Sequence, residues 1–164
     1  MGNYLLGLDC GHTVTKAVLF DLAGNEIASG KGANEQISLH PGWQERTMED
    51  AANAATQAIK GAIKDINAEE IIALGVCGHS DGLYLLDKNL KPLRNAIFAT
   101  DNRAKEVAER LAKSVGDKLL STIGQFLFPA SPAALLVWLK ENEPENYKNI
   151  GAVLHCKDWK NAHL

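Results

Sequence analysis

Residues 3–33 confine this chain more tightly than any other stretch. NYLLGLD (3–9) is a short apolar run ending in an aspartate, CGHTV (10–14) is a glycine-bearing turn, and TKAVLFD (15–21) is a second run carrying Ala17, Val18, Leu19 and Phe20. LAGN follows, with Gly24 and Asn25 as turn residues, and EIASGKG (26–32) reads as a third strand. Connections this short suit hairpins and leave no room for the crossover that a parallel pair needs. The opening therefore predicts an antiparallel three-stranded meander.

The rest of the chain alternates helical and strand signals. After an irregular segment with His40, Pro41 and Gly42, a helix is expected to begin near Thr47, whose hydroxyl caps it while Glu49 and Asp50 favour the positive end of its dipole. Ala51, Ala54, Ala55, Ala58, Ile59, Ala62, Ile63 and Ile66 recur at three- and four-residue steps, one apolar stripe running to about Asn67. IIALGVCG (71–78) is continuously apolar and reads as a strand covered on both faces. GLYLLD (82–87) reads as another strand, followed by a KNLKP turn and by AIFAT (96–100), a segment placed to line a site. DNRAKEVAERLAKSVG has helical periodicity and is expected to end at Gly116. A further helix is expected from Ser131 and Pro132 to about Glu141, and GAVLHC (151–156) as a last buried strand. No repeat, low-complexity segment or linker interrupts the chain, which predicts one α/β domain with a mixed sheet flanked by helices.

Charge and cysteine content narrow the function classes. Seventeen basic and twenty acidic side chains give a net charge of -3, with no run of lysines or arginines. That leaves no footprint for a phosphate backbone, so nucleic acid is not an expected partner. No window approaches the ~18 apolar residues that span a bilayer, and no secretory leader opens the sequence, which points to a cytoplasmic protein without a membrane partner. Cys10, Cys77 and Cys156 are odd in number and lack a CxxC spacing, as expected for small filler residues in a reducing compartment. His12, His40, His155 and His163 show no zinc-ligand spacing.

The first bend carries the chemistry. Asp9, Gly11, Thr13 and Thr15 bring a carboxylate, a glycine, backbone amides and hydroxyls to one turn, with Lys16 as a point charge beside them. Those parts can hold a phosphate chain and its magnesium: glycine permits close backbone approach, amides and hydroxyls donate to phosphate oxygens, and a hard cation prefers the aspartate oxygen, directly or through water. The pattern is neither the GxGxxG of a dinucleotide fold nor a Walker loop, because a hairpin rather than a helix follows the bend. The competing reading is a plain β-turn whose Asp and Thr side chains bond their own backbone.

GLDCGHTVTKAVLFDLAGNEIASG (7–30) resembles the first phosphate motif and opening hairpins of the FGGY carbohydrate kinases, of the actin-like ATPase superfamily. HPGWQERTMED resembles the family's Gly-Trp-x-Glu segment, here Gly42, Trp43 and Glu45. CGHSDGLYLLDKNLKPLRNAIFATDNRA resembles its sugar-site strand pair ending in Asp-x-Arg, here Asp101 and Arg103. PASPAALLVWLKENEPENY and the Lys157, Asp158, Trp159 trio resemble later parts of the same N-terminal domain. The four motifs stand in the family's order over nearly the whole chain, nearest to the L-xylulose kinase-like branch.

The resemblance implies an RNase H-like actin-type fold and ATP- and Mg²⁺-dependent phosphorylation of a ketose or polyol hydroxyl. Asp9, Gly11, Thr13, Thr15 and Lys16 would face the ATP phosphates, with Asp9 reaching Mg²⁺ through water. His79, Asp81 and Asp101 would contact the sugar, Asp101 as an acceptor for its hydroxyls. The residue-level alternatives are a satisfied turn for His79 and Asp81, a helix cap for Asp101, and packing roles for Trp43 and Trp138. His12 stands where many members carry Thr, position 81 varies, and Ala130 replaces a larger side chain, so the sugar is left open. The resemblance places the catalytic base in a segment beyond residue 164, which makes this chain a partial N-terminal domain. Two expectations follow: the sugar- and phosphate-binding portion of a kinase, or a noncatalytic module that binds sugar or a partner chain. Self-association into a homodimer is compatible with either.

Overall fold

Side-chain alternation in the first three runs decides the first sheet. In this computed structural model, which describes residues 3–163, Tyr4–Cys10 (β1), Val14–Asp21 (β2) and Glu26–Ala33 (β3) form the expected antiparallel meander. Ile71–Gly78 (β5) adds to β1 in parallel, giving the order β3-β2-β1-β5. Leu6, Leu8, Cys10, Ala17 and Leu19 bury one face of this mixed sheet.

Met48–Ala62 (α1) covers that face, capped as expected by Thr47, whose hydroxyl accepts from the Asp50 N–H at 2.9 Å. Its buried stripe is mostly alanine, and the strand beneath it supplies glycine. A Cβ on Gly32 would lie 2.0 Å from the Ala54 carbonyl oxygen, and one on Gly30 2.1 Å from that of Ala58. Small residues on both sides let the helix backbone lie directly on β3. The helix stops at Ile63, short of Asn67, because the chain turns at Ile63–Ile66 into a 3₁₀ turn at Ala68–Glu70.

The described residues gather into two compact units where the sequence predicts one domain: residues 3–36, 47–79 and 156–163, and residues 37–46 and 80–155. The second unit holds an antiparallel sheet of Glu45–Arg46 (β4), Ala96–Phe98 (β7), Gly82–Leu86 (β6) and Ala152–Leu154 (β8), in the order β4-β7-β6-β8. Leu83, Leu85 and Ile97 from this sheet pack with Val107 and Ala108 of Lys105–Ile123 (α2) and with Leu135 and Leu139 of Pro132–Asn142 (α3). Pro144–Lys148 (α4) follows α3. Cys156–His163 (α5) belongs to the first unit and packs on β5.

Three expectations are corrected. The run 71–78 is not covered on both faces: β5 pairs only with β1 among the described residues, and Ile72 is 56% and Leu74 41% exposed. The helix after Asn102 runs through Gly116 to Ile123, where Gly124 at φ 68° ends it, because a left-handed C-terminal residue stops a helix and a mid-helix glycine only weakens one. The strand in GAVLHC is only three residues long, since Cys156 already begins α5. No described helix is long and apolar enough to cross a membrane.

Candidate functional site

The sheet face opposite α1 carries the first group of site residues. Strand alternation sends Asp9 to this face, and register places Lys16 and Cys77 beside it on the flanking strands. Gly7, Val18, Phe20 and Gly75 continue the same depression, about 470 Å³, toward the amino end of β1. Asp9 is exposed, and its Oδ1 accepts a long hydrogen bond from the Cys77 thiol at 3.6 Å. Desolvation pushes that thiol above its ordinary pKa, and the Asp9 carboxylate adds to the rise by opposing a second negative charge.

Beyond Cys10 the chain turns through the bend. A Cβ at Gly11 would lie 2.7 Å from the Val14 carbonyl oxygen, so only glycine fits there without a shift. Thr13 is exposed. Thr15 differs from expectation: it is fully buried, on the α1 face of β2, and its hydroxyl donates to the Asn34 side-chain oxygen at 3.2 Å. The alternation that sends Lys16 outward sends Thr15 inward, so Thr15 supports the bend from behind instead of facing a ligand. His12 and His79 follow adjacent parallel strands, and their rings stack with centroids 4.5 Å apart and planes 24° apart. Ligands of open α/β sheets sit outside such carboxyl strand ends.

In the second unit the Gly-Trp-x-Glu and Asp-x-Arg segments interlock. Asp101 Oδ1 accepts from the Arg103 N–H at 2.8 Å and from Arg103 Nε at 2.9 Å, while Oδ2 accepts from the Gln44 N–H at 2.7 Å and from Arg103 Nη2 at 2.9 Å. A carboxylate offers about four lone-pair sites, and here four donors occupy them on a side chain with no exposed surface. The carboxylate expected to accept from sugar hydroxyls is held here by protein donors. It is not the helix cap: α2 begins at Lys105, and Asp101 closes a tight turn onto Arg103 instead.

Arg103 also donates to Glu45 Oε1 at 2.7 Å, and Glu45 in turn takes Arg94 and, at 3.1 Å, the Asn95 amide. Arg94 reaches Glu143 at 2.6 Å. The Arg103 guanidinium lies 4.2 Å from the Trp43 ring centroid and 5.3 Å from that of Trp138, and the two indoles meet edge-on at 5.2 Å. The indole faces attract the cation where Nη1 has no acceptor. Both tryptophans are thus packing residues. Asp81, half-buried, accepts from the Ser80 hydroxyl at 3.1 Å and from the Gln125 amide at 3.5 Å. Sequence reasoning missed Asn34, Glu45 as an ion-pair centre, and Arg94. Only an amide residue at the end of a strand beside the turn hinted at the first.

The sequence profile of the FGGY family of carbohydrate kinases, N-terminal domain, matches residues 4–164. The chain belongs to this family. It is 38% identical over 162 residues to the L-xylulose/3-keto-L-gulonate kinase of Escherichia coli K12, covering 97% of this chain and 32% of that protein. A probable L-xylulose kinase of Haemophilus influenzae is 35% identical, covering 96% of this chain and 33% of that protein. Among solved structures, a xyloylose kinase from Brucella ovis superposes with a TM-score of 0.92 at 30% identity, over 99% of this chain and 34% of that one. The FGGY chain described here therefore spans about a third of the length of the relatives it matches. Its mixed sheet and flanking helices are those of the N-terminal domain of the actin-like FGGY fold.

Proposed function

We propose that this FGGY chain is the sugar- and phosphate-binding portion of a kinase that transfers the γ-phosphoryl group of ATP to a hydroxyl of a ketose or related polyol, an L-xylulose-like sugar. The single observation that carries the reading is Asp9, exposed at the carboxyl end of β1 beside the Gly11 bend, in a chain whose family is one of carbohydrate kinases. The cytoplasm is where such a sugar and ATP meet, and neither nucleic acid nor membrane has a part in the reaction.

The residues fit a magnesium nucleotide in a specific way. Among the described residues no three His, Cys, Asp or Glu side chains gather, so a cation here is held by the Asp9 carboxylate, water and phosphate oxygens, the coordination magnesium prefers. Magnesium bound there offsets phosphate charge. Lys16 adds a positive charge on the same face, and the bend offers amides and the Thr13 hydroxyl. His79 and Asp81 are the candidates to orient the sugar, His79 braced by the His12 ring and Asp81 by Ser80.

A second reading, a module that binds sugar without transferring phosphate, is favoured by Thr15, which lies buried behind the bend and turns its hydroxyl to Asn34 rather than to a ligand. Amide chemical-shift titration of the 164-residue chain tests both. L-xylulose should move the His79 and Asp81 amides, and magnesium ATP those of residues 9–13, with no sugar-dependent ADP release from this chain alone. Silence toward every pentulose and polyol would sink both readings, while a response to sugars and none to magnesium ATP would favour the second.

A further inference from the structure

We infer that Asn34 is the positioning residue of the phosphate bend, an inference that deepens the kinase reading and rests on it for the identity of the ligand. One residue at the end of β3 holds three points of the bend. Its Nδ2 donates to the Gly11 carbonyl oxygen at 2.9 Å, its Oδ1 accepts from the Thr15 hydroxyl at 3.2 Å, and its backbone N–H donates to the Thr13 carbonyl oxygen at 3.1 Å. The next residue is anchored as well, because the Glu35 N–H donates to the Asp50 carboxylate in the first turn of α1 at 2.9 Å. Asn34 is thus fixed between a strand and a helix before it touches the bend.

The direction of the bend follows from peptide planarity. A trans peptide points its C=O and N–H to opposite sides. Drawing the Gly11 carbonyl onto Asn34 therefore turns the His12 N–H to the side away from Asn34. Strand alternation puts the Thr15 hydroxyl on the buried side, where Asn34 Oδ1 takes its hydrogen bond, leaving Thr13 as the bend's exposed hydroxyl. Asn34 thus decides which groups the bend presents to a phosphate without touching the phosphate itself.

A carboxamide does this from two separate atoms, Nδ2 donating and Oδ1 accepting, as the position requires. An aspartate has the same shape but, ionised, offers an acceptor where Gly11 needs a donor. Protonated, its O–H can donate to Gly11 again. That gives the test a pH signature that a role in packing lacks.

Asn34→Asp and Asn34→Ala are compared with the wild type in the 164-residue chain, using amide protection factors over residues 11–15 and titration with magnesium pyrophosphate. At pH 7 both variants should lose about tenfold in protection across the bend and about tenfold in pyrophosphate affinity, with L-xylulose shifts at Asp81 unchanged. Below about pH 4, where the introduced carboxyl is protonated, Asn34→Asp should regain protection and Asn34→Ala should not. Wild-type protection in Asn34→Asp at pH 7, or an identical pH profile for the two variants, would overturn the assignment. A wild type that ignores pyrophosphate while the variants still loosen the bend would leave Asn34 as its positioning residue and refute the phosphate reading instead. Should Asn34→Ala fail to fold, the pH dependence of Asn34→Asp alone decides.

Discussion

At the scale of single residues, two aspartates that look alike in sequence do opposite work. Asp101 is legible as a family motif, but its four donors come from Gln44, 57 positions away, and from Arg103, and no local pattern announces that they converge. Its replacement by Ala strips one of the two counter-charges from a buried guanidinium and leaves the Gln44 N–H without an acceptor. Breaking a buried pair costs roughly 3–5 kcal/mol, so Asp101→Ala should unfold at markedly lower urea, whatever its effect on sugar binding. Unchanged urea stability would show that Glu45 alone suffices for Arg103. Asp9, by contrast, is exposed, and its electrostatic reach can be read at Cys77. Removing the charge with Asp9→Asn lowers the thiol pKa toward its ordinary value, so Cys77 should alkylate faster at pH 8, with Cys10 and Cys156 buried and silent. Equal rates in both proteins would mean that the carboxylate does not face the thiol in solution.

At the scale of elements, legibility followed how local the cause was. The meander, the Thr47 cap and the start of α3 at Pro132 rest on neighbours in sequence and were readable. The close seat of α1 on β3 was not, because Gly30 and Gly32 read as weak strand residues until the helix backbone is placed over them. Gly32→Ala must push that backbone away and should cost about 1–3 kcal/mol or more in thermal unfolding. Gly75→Ala, where an added Cβ meets nothing within 4 Å, should be neutral or slightly stabilising. Equal costs for the two would contradict the packing described. The turns after β2 and β6 share a device: Asp21 accepts from the Ala23 and Asn25 amides, and Asp87 from those of Asn89 and Lys91. Asp21, chiefly through the Asn25 side chain, and Asp87, chiefly through the Lys91 amide, are held below the ordinary aspartate range. A lowered carboxylate stabilises the fold above its unfolded pKa and loses that contribution as pH falls through its folded value. Protection of these four amides should therefore persist at pH 5 and fade below the ordinary aspartate range.

At the scale of the whole molecule, β5 carries the most consequential difference between sequence and structure. A continuous apolar run reads as a central strand because central parallel strands are covered on both faces, yet coverage is a property of neighbours and not of the run itself. Among the described residues β5 pairs with β1 alone, and Ile72 and Leu74 stand in solvent along a strand eight residues long. An exposed apolar edge is a template for pairing with another chain, and proteins blunt such edges with lysine. The isolated 164-residue chain should accordingly associate with rising concentration in sedimentation velocity. Leu74→Lys, placing a charge in mid-strand at a residue already 41% exposed, should shift it toward monomer without lowering its stability by more than about 1 kcal/mol. A wild type that stays monomeric throughout, or a variant that associates equally, would remove β5 as the contact surface. If the partner strand is supplied by a second copy, the contact is symmetric, so mixing wild type with Leu74→Lys should yield fewer dimers than wild type alone, because every mixed pair brings the lysine to the shared edge.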